Sequence, residues 1–170
     1  VERLGGRFIA SSEPDYPSLL RHIADAPPLL AVVGGDRLPM NRTVAIVGAR
    51  NASAAGQRMT EILAGGLGAA GLVVVSGLAR GIDAAAHKAA LPTGTAAVLA
   101  GGIDQIYPDE NVPLARAILE HGGMLLSEMP FGWQPRAQDF PRRNRIVSGL
   151  ALTIFAGAAG PARLCLAVSL

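Results

Sequence analysis

Leu72-Val73-Val74-Val75-Ser76-Gly77-Leu78-Ala79-Arg80-Gly81-Ile82-Asp83 is the stretch whose reading decides the fold. An apolar run rich in β-branched valine ends at a Ser-Gly step, and a second glycine leads into an alanine-rich segment with helix composition. A short, continuous apolar run that gives way through glycine to a helix is the repeating unit of a parallel sheet, whose strands are buried on both faces. Working outward, the same rhythm recurs. It predicts strands over residues 43–47, 72–76, 95–99, 124–127 and 152–155, with helices over 54–70, 82–91, 111–121 and 139–150. A lead-in strand over 29–33 follows a turn-rich 11–16 and a helical 17–24. Right-handed crossovers place the helices on both faces, so the expected class is α/β with a doubly wound, mostly parallel sheet. Residues 1–42 form a lead-in segment, 43–156 the core, and 157–170 a divergent or truncated tail with no complete helix-strand unit.

The chain has 170 residues and a formal net charge of +2, which implies one domain without a global positive field. Any surface for a polyanion must therefore be local, and 136–145 supplies one, with four arginines against Asp139 alone. Lys88 is the single lysine among the 15 basic residues, a bias read as GC-rich coding more than as phosphate recognition. One cysteine, Cys165, excludes an intrachain disulfide framework and fits a reducing compartment. The uncharged run over 146–162 is broken by glycines and a proline and falls short of the roughly 20 apolar residues of a spanning helix. With no charged-then-apolar leader, the expectation is a cytoplasmic protein away from the membrane. A first residue of valine fits a fragment.

In an open parallel sheet, ligands bind beyond the carboxyl ends of the strands. The loops there are Gly48-Ala49-Arg50-Asn51-Ala52-Ser53, Ser76 to Asp83, and Ala100-Gly101-Gly102-Ile103-Asp104. Glycines let backbone N–H groups approach an anion, and a helix opening after Gly81 adds its dipole, so phosphate binding is expected. The competing reading is that the glycines only permit tight turns. Phe140-Pro141-Arg142-Arg143-Asn144-Arg145 sets three planar cations beside an aromatic at a helix start, a pattern suited to stacking an unpaired base and holding phosphates. Its alternative is a solvated basic helix start with Phe140 in the core.

Other candidates are weaker. Gly66-Leu67-Gly68-Ala69-Ala70-Gly71 spells GxGxxG, but it ends a helix and precedes a strand, the reverse of a dinucleotide site. Asp83 and His87 share a helix face, yet no histidine or cysteine cluster completes a metal shell, and structural roles are expected for both. Glu128 is the best single carboxylate but lacks a partner, Trp133 is read as a loop anchor before a base-stacking group, and Tyr107-Pro108 is read as a turn. No catalytic residue, metal ligand or cofactor is assigned.

Taken together, these segments resemble the DNA-processing protein A family, the Smf-type competence factors. The resemblance rests on Asp15-Tyr16-Pro17, Val44 to Arg50, Val75 to Asp83 with Ala86-His87, Gly101 to Asp104, Tyr107-Pro108, Gly123 to Glu128 and Phe140 to Leu150, in that order. It implies a Rossmann-like domain that binds single-stranded DNA, protects incoming strands during natural transformation and helps load the RecA recombinase. By resemblance, Gly48, Ala49 and Arg50 match a Gly-Ser-Arg loop with Ala49 in place of serine. Ser76, Gly77 and Gly81 match a phosphate-facing loop, and Phe140, Arg142, Arg143, Asn144 and Arg145 match an arginine-rich motif lining the same pocket. The family's homodimer is doubtful here, because residues 157–170 lack its Ser-Gly-Ser-Leu-Ile-Thr-Ala helix and later strands.

A rival from another class is a Rossmann-like nucleotide-processing enzyme similar to the phosphoribohydrolases. Those carry Pro-Gly-Gly-x-Gly-Thr-x-x-Glu, whereas Phe155 to Pro161 lacks both Thr and Glu. A dinucleotide-dependent oxidoreductase fails with the misplaced GxGxxG. The expectation is a non-enzymatic single-strand binder.

Overall fold

The computed structural model describes residues 5–36, 38–157 and 164–168. Val73–Ser76 is buried on both faces, as a central parallel strand must be, and its neighbours build outward from it. In chain order the elements are β1 (Gly6–Ala10), β2 (Leu29–Gly34), β3 (Thr43–Gly48), α1 (Ala54–Ala69), β4 (Val73–Ser76) and α2 (Ile82–Ala90). They continue with β5 (Thr95–Val98), α3 (Val112–Glu120), β6 (Met124–Ser127), α4 (Asp139–Gly149), β7 (Thr153–Gly157) and β8 (Leu164–Val168). Among the described residues they form one sheet in the order β1-β2-β6-β5-β4-β3-β7-β8. The five strands β6, β5, β4, β3 and β7 run parallel, while β1 pairs with β2, β2 with β6, and β7 with β8 in antiparallel fashion.

Alternation along the strands sends side chains to two helical layers. Val44, Ile46 and Val74 pack with Ala64 of α1 and Ile82, Ala86 and Ala90 of α2. Ala97, Leu99 and Leu125 meet Leu114 and Ile118 of α3 on the same side. Ala45, Val73, Val75, Val98 and Leu126 point the other way, onto Ile146 and Val147 of α4, Leu150 just after it, and Tyr16 and Leu20 of the lead-in. The chain steps from β3 to β6 in one direction and then returns across the sheet to β7. Crossovers of one hand therefore place α4 opposite α1, α2 and α3. The doubly wound expectation holds.

The structure adds to the sequence reading at the two sheet edges and corrects it at one helix. The helix read over 17–24 is only a 3-10 turn, Leu20–His22, because the segment is held by tertiary contacts: Leu20 is buried, and the Tyr16 hydroxyl donates to the Pro27 carbonyl at 2.8 Å. The strand β1 was unforeseen, since Arg7 and Phe8 are exposed and the alternation is short. The tail, read as divergent and without a complete helix-strand unit, adds the single strand β8 along the edge of β7. The GxGxxG stretch behaves as expected, for it closes α1 with Gly71 N–H to Gly68 carbonyl and Leu72 N–H to Leu67 carbonyl bonds of 2.9 and 3.1 Å.

His87 links α2 to β5. The Thr95 hydroxyl donates to the Val74 carbonyl at 2.7 Å, so His87 Nδ1, 2.7 Å from that hydroxyl oxygen, carries the proton. Nε2 is left as a buried acceptor with no partner among the described residues. Burial, with Arg143 adding repulsion, lowers the His87 pKa from 6.5 to about 3. The unfolded chain thus takes up a proton that the folded one refuses, and stability falls as pH drops from 6.5 toward 3, by at most about 1.4 kcal/mol per unit. His87→Leu should flatten the stability profile between about pH 6.5 and 5, where carboxylates contribute least. Denaturant titrations across that window check it, and an unchanged slope would show that His87 is not the acid-sensitive group.

Candidate nucleic-acid interface

Beyond the carboxyl ends of β3, β4 and β5, the connecting loops and the first turn of α4 enclose a cleft of about 170 Å³. Ser53 caps α1 by accepting the Gly56 N–H at 3.1 Å, which ends the preceding loop and leaves Arg50 and Asn51 on the rim. Gly77, Ala79 and Arg80 form a second wall, and Tyr107, Pro108 and Phe140 a third. The Arg50 guanidinium lies over the Phe140 ring at 5.0 Å, and the Tyr107 ring meets Phe140 at 5.5 Å with a 59° tilt. Arg50 is exposed and has no ion pair among the described residues, whereas Arg80 pairs with Glu110 at 2.8 Å across open surface. Phe140 is half-buried in this wall, not sealed in the core, and Tyr107 is 53% exposed.

Phe140 is aimed by the turn before it. Asp139 accepts the Trp133 indole N–H at 2.9 Å and the Arg136 amide at 2.8 Å. The indole bond, more than the amide, holds the Asp139 carboxyl below the usual carboxylate range. Trp133 is therefore the loop anchor expected, with the Arg136 guanidinium 4.6 Å above its ring.

Behind the cleft the glycine loops are occupied from within. The Asp83 carboxylate, buried at the start of α2, accepts N–H bonds from Gly48 at 3.3 Å, Gly77 at 3.1 Å and Ala79 at 3.4 Å. Burial pushes its carboxyl above the usual range, while Arg143 and the three amides pull it down. Arg143 is also buried, and its Nη1 donates to the Gly77 carbonyl at 2.7 Å and to the Val98 carbonyl. Burial lowers its pKa, against the pull of Asp83. Leu78, with a φ of 57°, sits in the left-handed region that side chains disfavour, at a cost of about 1–3 kcal/mol. Its burial and the Asn111 Nδ2 bond to its carbonyl at 2.9 Å hold it there.

This geometry sorts the residues assigned from sequence. Arg50, Gly77 and Phe140 line one cleft, joined by Asn51 and Arg80 of the same loops, which were not singled out, and by Tyr107, which was read as a turn. The signal for Tyr107 was an aromatic in a turn at the strand ends, hidden by the Pro108 that follows it. Ser76 does not face a ligand: it is buried, and its hydroxyl donates to the Ile46 carbonyl at 2.6 Å. The Gly48 and Gly77 amides go to Asp83, and the Ala49 amide goes to the Gly157 carbonyl at 3.0 Å. Gly81, with a φ of 71°, turns the chain into α2, where a Cβ would lie 2.7 Å from the Arg50 carbonyl oxygen.

The arginine motif is split by the helical turn. Arg143 points inward, while Arg142 and Arg145 lie beside a second cleft of about 570 Å³ with Asp25 and Glu128. Arg145 pairs with Glu128 and, at 3.2 Å, with Asp25; Arg142 reaches Glu128 at 3.5 Å. Asn144 is exposed and accepts the Arg143 Nε–H at 3.3 Å. Glu128 is thus a counter-ion within an arginine cluster, a poor arrangement for an acid or base.

A family model described as DNA recombination-mediator protein A matches residues 7–161. The chain belongs to that family. It is 40% identical over 153 residues to Protein Smf of Escherichia coli (strain K12), covering 89% of this chain and 41% of that protein. Its fold superposes on DNA processing protein A from Streptococcus pneumoniae with a TM-score of 0.81 and 39% identity, covering 90% of this chain and 54% of that one. DNA processing protein A from Helicobacter pylori, whose structure was described for its unique single-stranded DNA binding mode, gives 0.80 and 30% over 89% of this chain and 68% of the other. The chain thus spans about half the length of the family members it matches.

Gly77 tests how the cleft is held. A Cβ there would lie 2.5 Å from Arg143 Cζ and 2.6 Å from Nη1, so Gly77→Ala must displace the guanidinium from the Gly77 and Val98 carbonyls. Disrupting a buried, hydrogen-bonded charge should cost about 3–5 kcal/mol. Chemical denaturation measures it, and a loss below about 1 kcal/mol would show that Arg143 can move aside freely.

Proposed function

We propose that this chain binds single-stranded DNA in the Arg50–Phe140–Tyr107 cleft and serves the processing of DNA taken up in natural transformation. The observation that carries this reading is a cation with no carboxylate partner among the described residues, laid over one aromatic ring beside a second, half-exposed one. A base stacks on such a ring whatever its identity, and a guanidinium fork matches the adjoining phosphate. Duplex DNA, its bases already stacked, has no face to offer. The Helicobacter pylori relative is described for single-stranded DNA binding, and the family for recombination mediation, which supports the same reading for this chain.

The finer parts of the proposal are protection of the incoming strand and help in loading RecA, both from the family resemblance. Assembly into the family's homodimer would involve sequence beyond what this chain shares with the motifs above. We place the protein in the cytoplasm; no helix among the described residues is long and apolar enough to cross a membrane. The role is binding, not catalysis. Asp83, His87 and Glu128, the ionisable groups singled out above, are each engaged in structural contacts, which supports this reading.

Two substitutions separate charge from stacking. Arg50→Ala should weaken binding to oligo(dT) and lower the slope of log K against log salt by roughly 0.7, the single-strand value per neutralised phosphate. Phe140→Ala should cost about 1–3 kcal/mol with little change in slope and without unfolding the protein. Salt-dependent binding beside thermal unfolding decides the matter, and a folded Phe140→Ala protein with wild-type affinity would remove stacking from the proposal.

A further inference from the structure

The converging amides of Gly48, Gly77 and Ala79, next to the first turn of α2, are the kind of backbone pocket that holds a phosphate in other α/β proteins. Here a carboxylate of the chain itself fills it. Asp83 is 4% exposed and accepts all three N–H groups, leaving none of them for a ligand. The three donors come from two separate walls of the cleft. Gly48 lies two residues before Arg50, and Gly77 and Ala79 flank the turn that leads to Arg80. The Gly77 carbonyl, in the next peptide group, in turn accepts from Arg143, three residues along α4 from Phe140. The outer residues of the cleft are thereby tied to one buried anion.

We infer that Asp83 is the positioning residue of this cleft: its carboxylate stands where a phosphate would, locks the Arg50 and Arg80 loops together, and leaves recognition to side chains instead of loop amides. This rests on the single-strand reading of the cleft. A bound strand then places its phosphates against Arg50 and Arg80, outside the glycine loops. It also follows that free phosphate or a nucleotide phosphate finds no amide pocket in the folded protein.

Asp83→Ala and Asp83→Asn in the full chain test this, with oligo(dT) affinity measured over a range of salt, backbone hydrogen exchange without DNA, and formate as a small replacement carboxylate. Asp83→Ala should weaken binding by about tenfold or more. The salt slope should stay the same, because no phosphate contact is removed. Amides over 48–52 and 77–81 should lose protection while those of Val73–Val75 keep theirs. Formate should restore both affinity and loop protection to Asp83→Ala, and should do nothing for Asp83→Asn, whose carboxamide fills the same space. Wild-type affinity in Asp83→Ala despite loosened loops would overturn the inference, as would loss of Val73–Val75 protection in both variants, which marks a purely structural residue. Wild-type affinity and exchange in Asp83→Asn would also overturn it, since the charge would then be dispensable. Arg50→Ala is the control. If it binds like wild type, the single-strand reading of the cleft fails, while the exchange comparison still scores the clamp.

Discussion

Gly77 lies between two buried charges, its N–H directed to the Asp83 carboxylate and its carbonyl, in the next peptide group, to the Arg143 guanidinium. Neither charge would be tolerable in that interior alone, because each loses its hydration there. Together, with Gly48, Ala79 and Val98 supplying further backbone partners, they hold the ends of β3, β4 and β5 and the start of α4 in one arrangement. Gly77 leaves room for the guanidinium, which a Cβ there would have to displace. Replacing such a network by apolar residues is often neutral or favourable for stability in other proteins, so its value here is best sought in the geometry it imposes.

That geometry is a rigid back to a cleft whose working groups are on the outside. Arg50 and Phe140 arrive from elements ninety residues apart in the chain, and their contact depends on the buried layer beneath them. A cation held over an aromatic face by about 0.5–2 kcal/mol is steered without being neutralised, which keeps its charge available to a phosphate. Arg142 and Arg145, by contrast, are matched by Glu128 and Asp25 and carry little net field. One helical motif thus divides its arginines between the interior and ion pairs at the surface.

The parts of the fold that follow from short-range pattern were legible in the sequence. Unbroken valine runs marked the central strands, glycine at the run ends marked the turns, and the alternation of runs with helical stretches gave the doubly wound class. The edge strands were not legible. β1 exposes Arg7 and Phe8 and is defined by its pairing with β2, and β8 by its pairing with β7, so their evidence lies in another part of the chain. The 3-10 turn at Leu20–His22 was overread as a helix because its apolar residues answer to α4 and the sheet instead of to a helical period.

At the site, the sequence alone determined which residues reach the carboxyl edge of the sheet, because strand ends and glycine turns are local features. Only the tertiary structure decided which of them face outward. Asp83 takes an amide 35 residues earlier in the chain, Ser76 takes a carbonyl 30 residues earlier, and Arg143 takes carbonyls 66 and 45 residues away. Hydrogen-bonding capacity is written in residue type, but whether it is spent internally depends on which distant backbone groups the fold brings within about 3 Å. The same glycines and arginines that read as a phosphate loop became the internal frame of the cleft, and an aromatic read as a turn became part of its face.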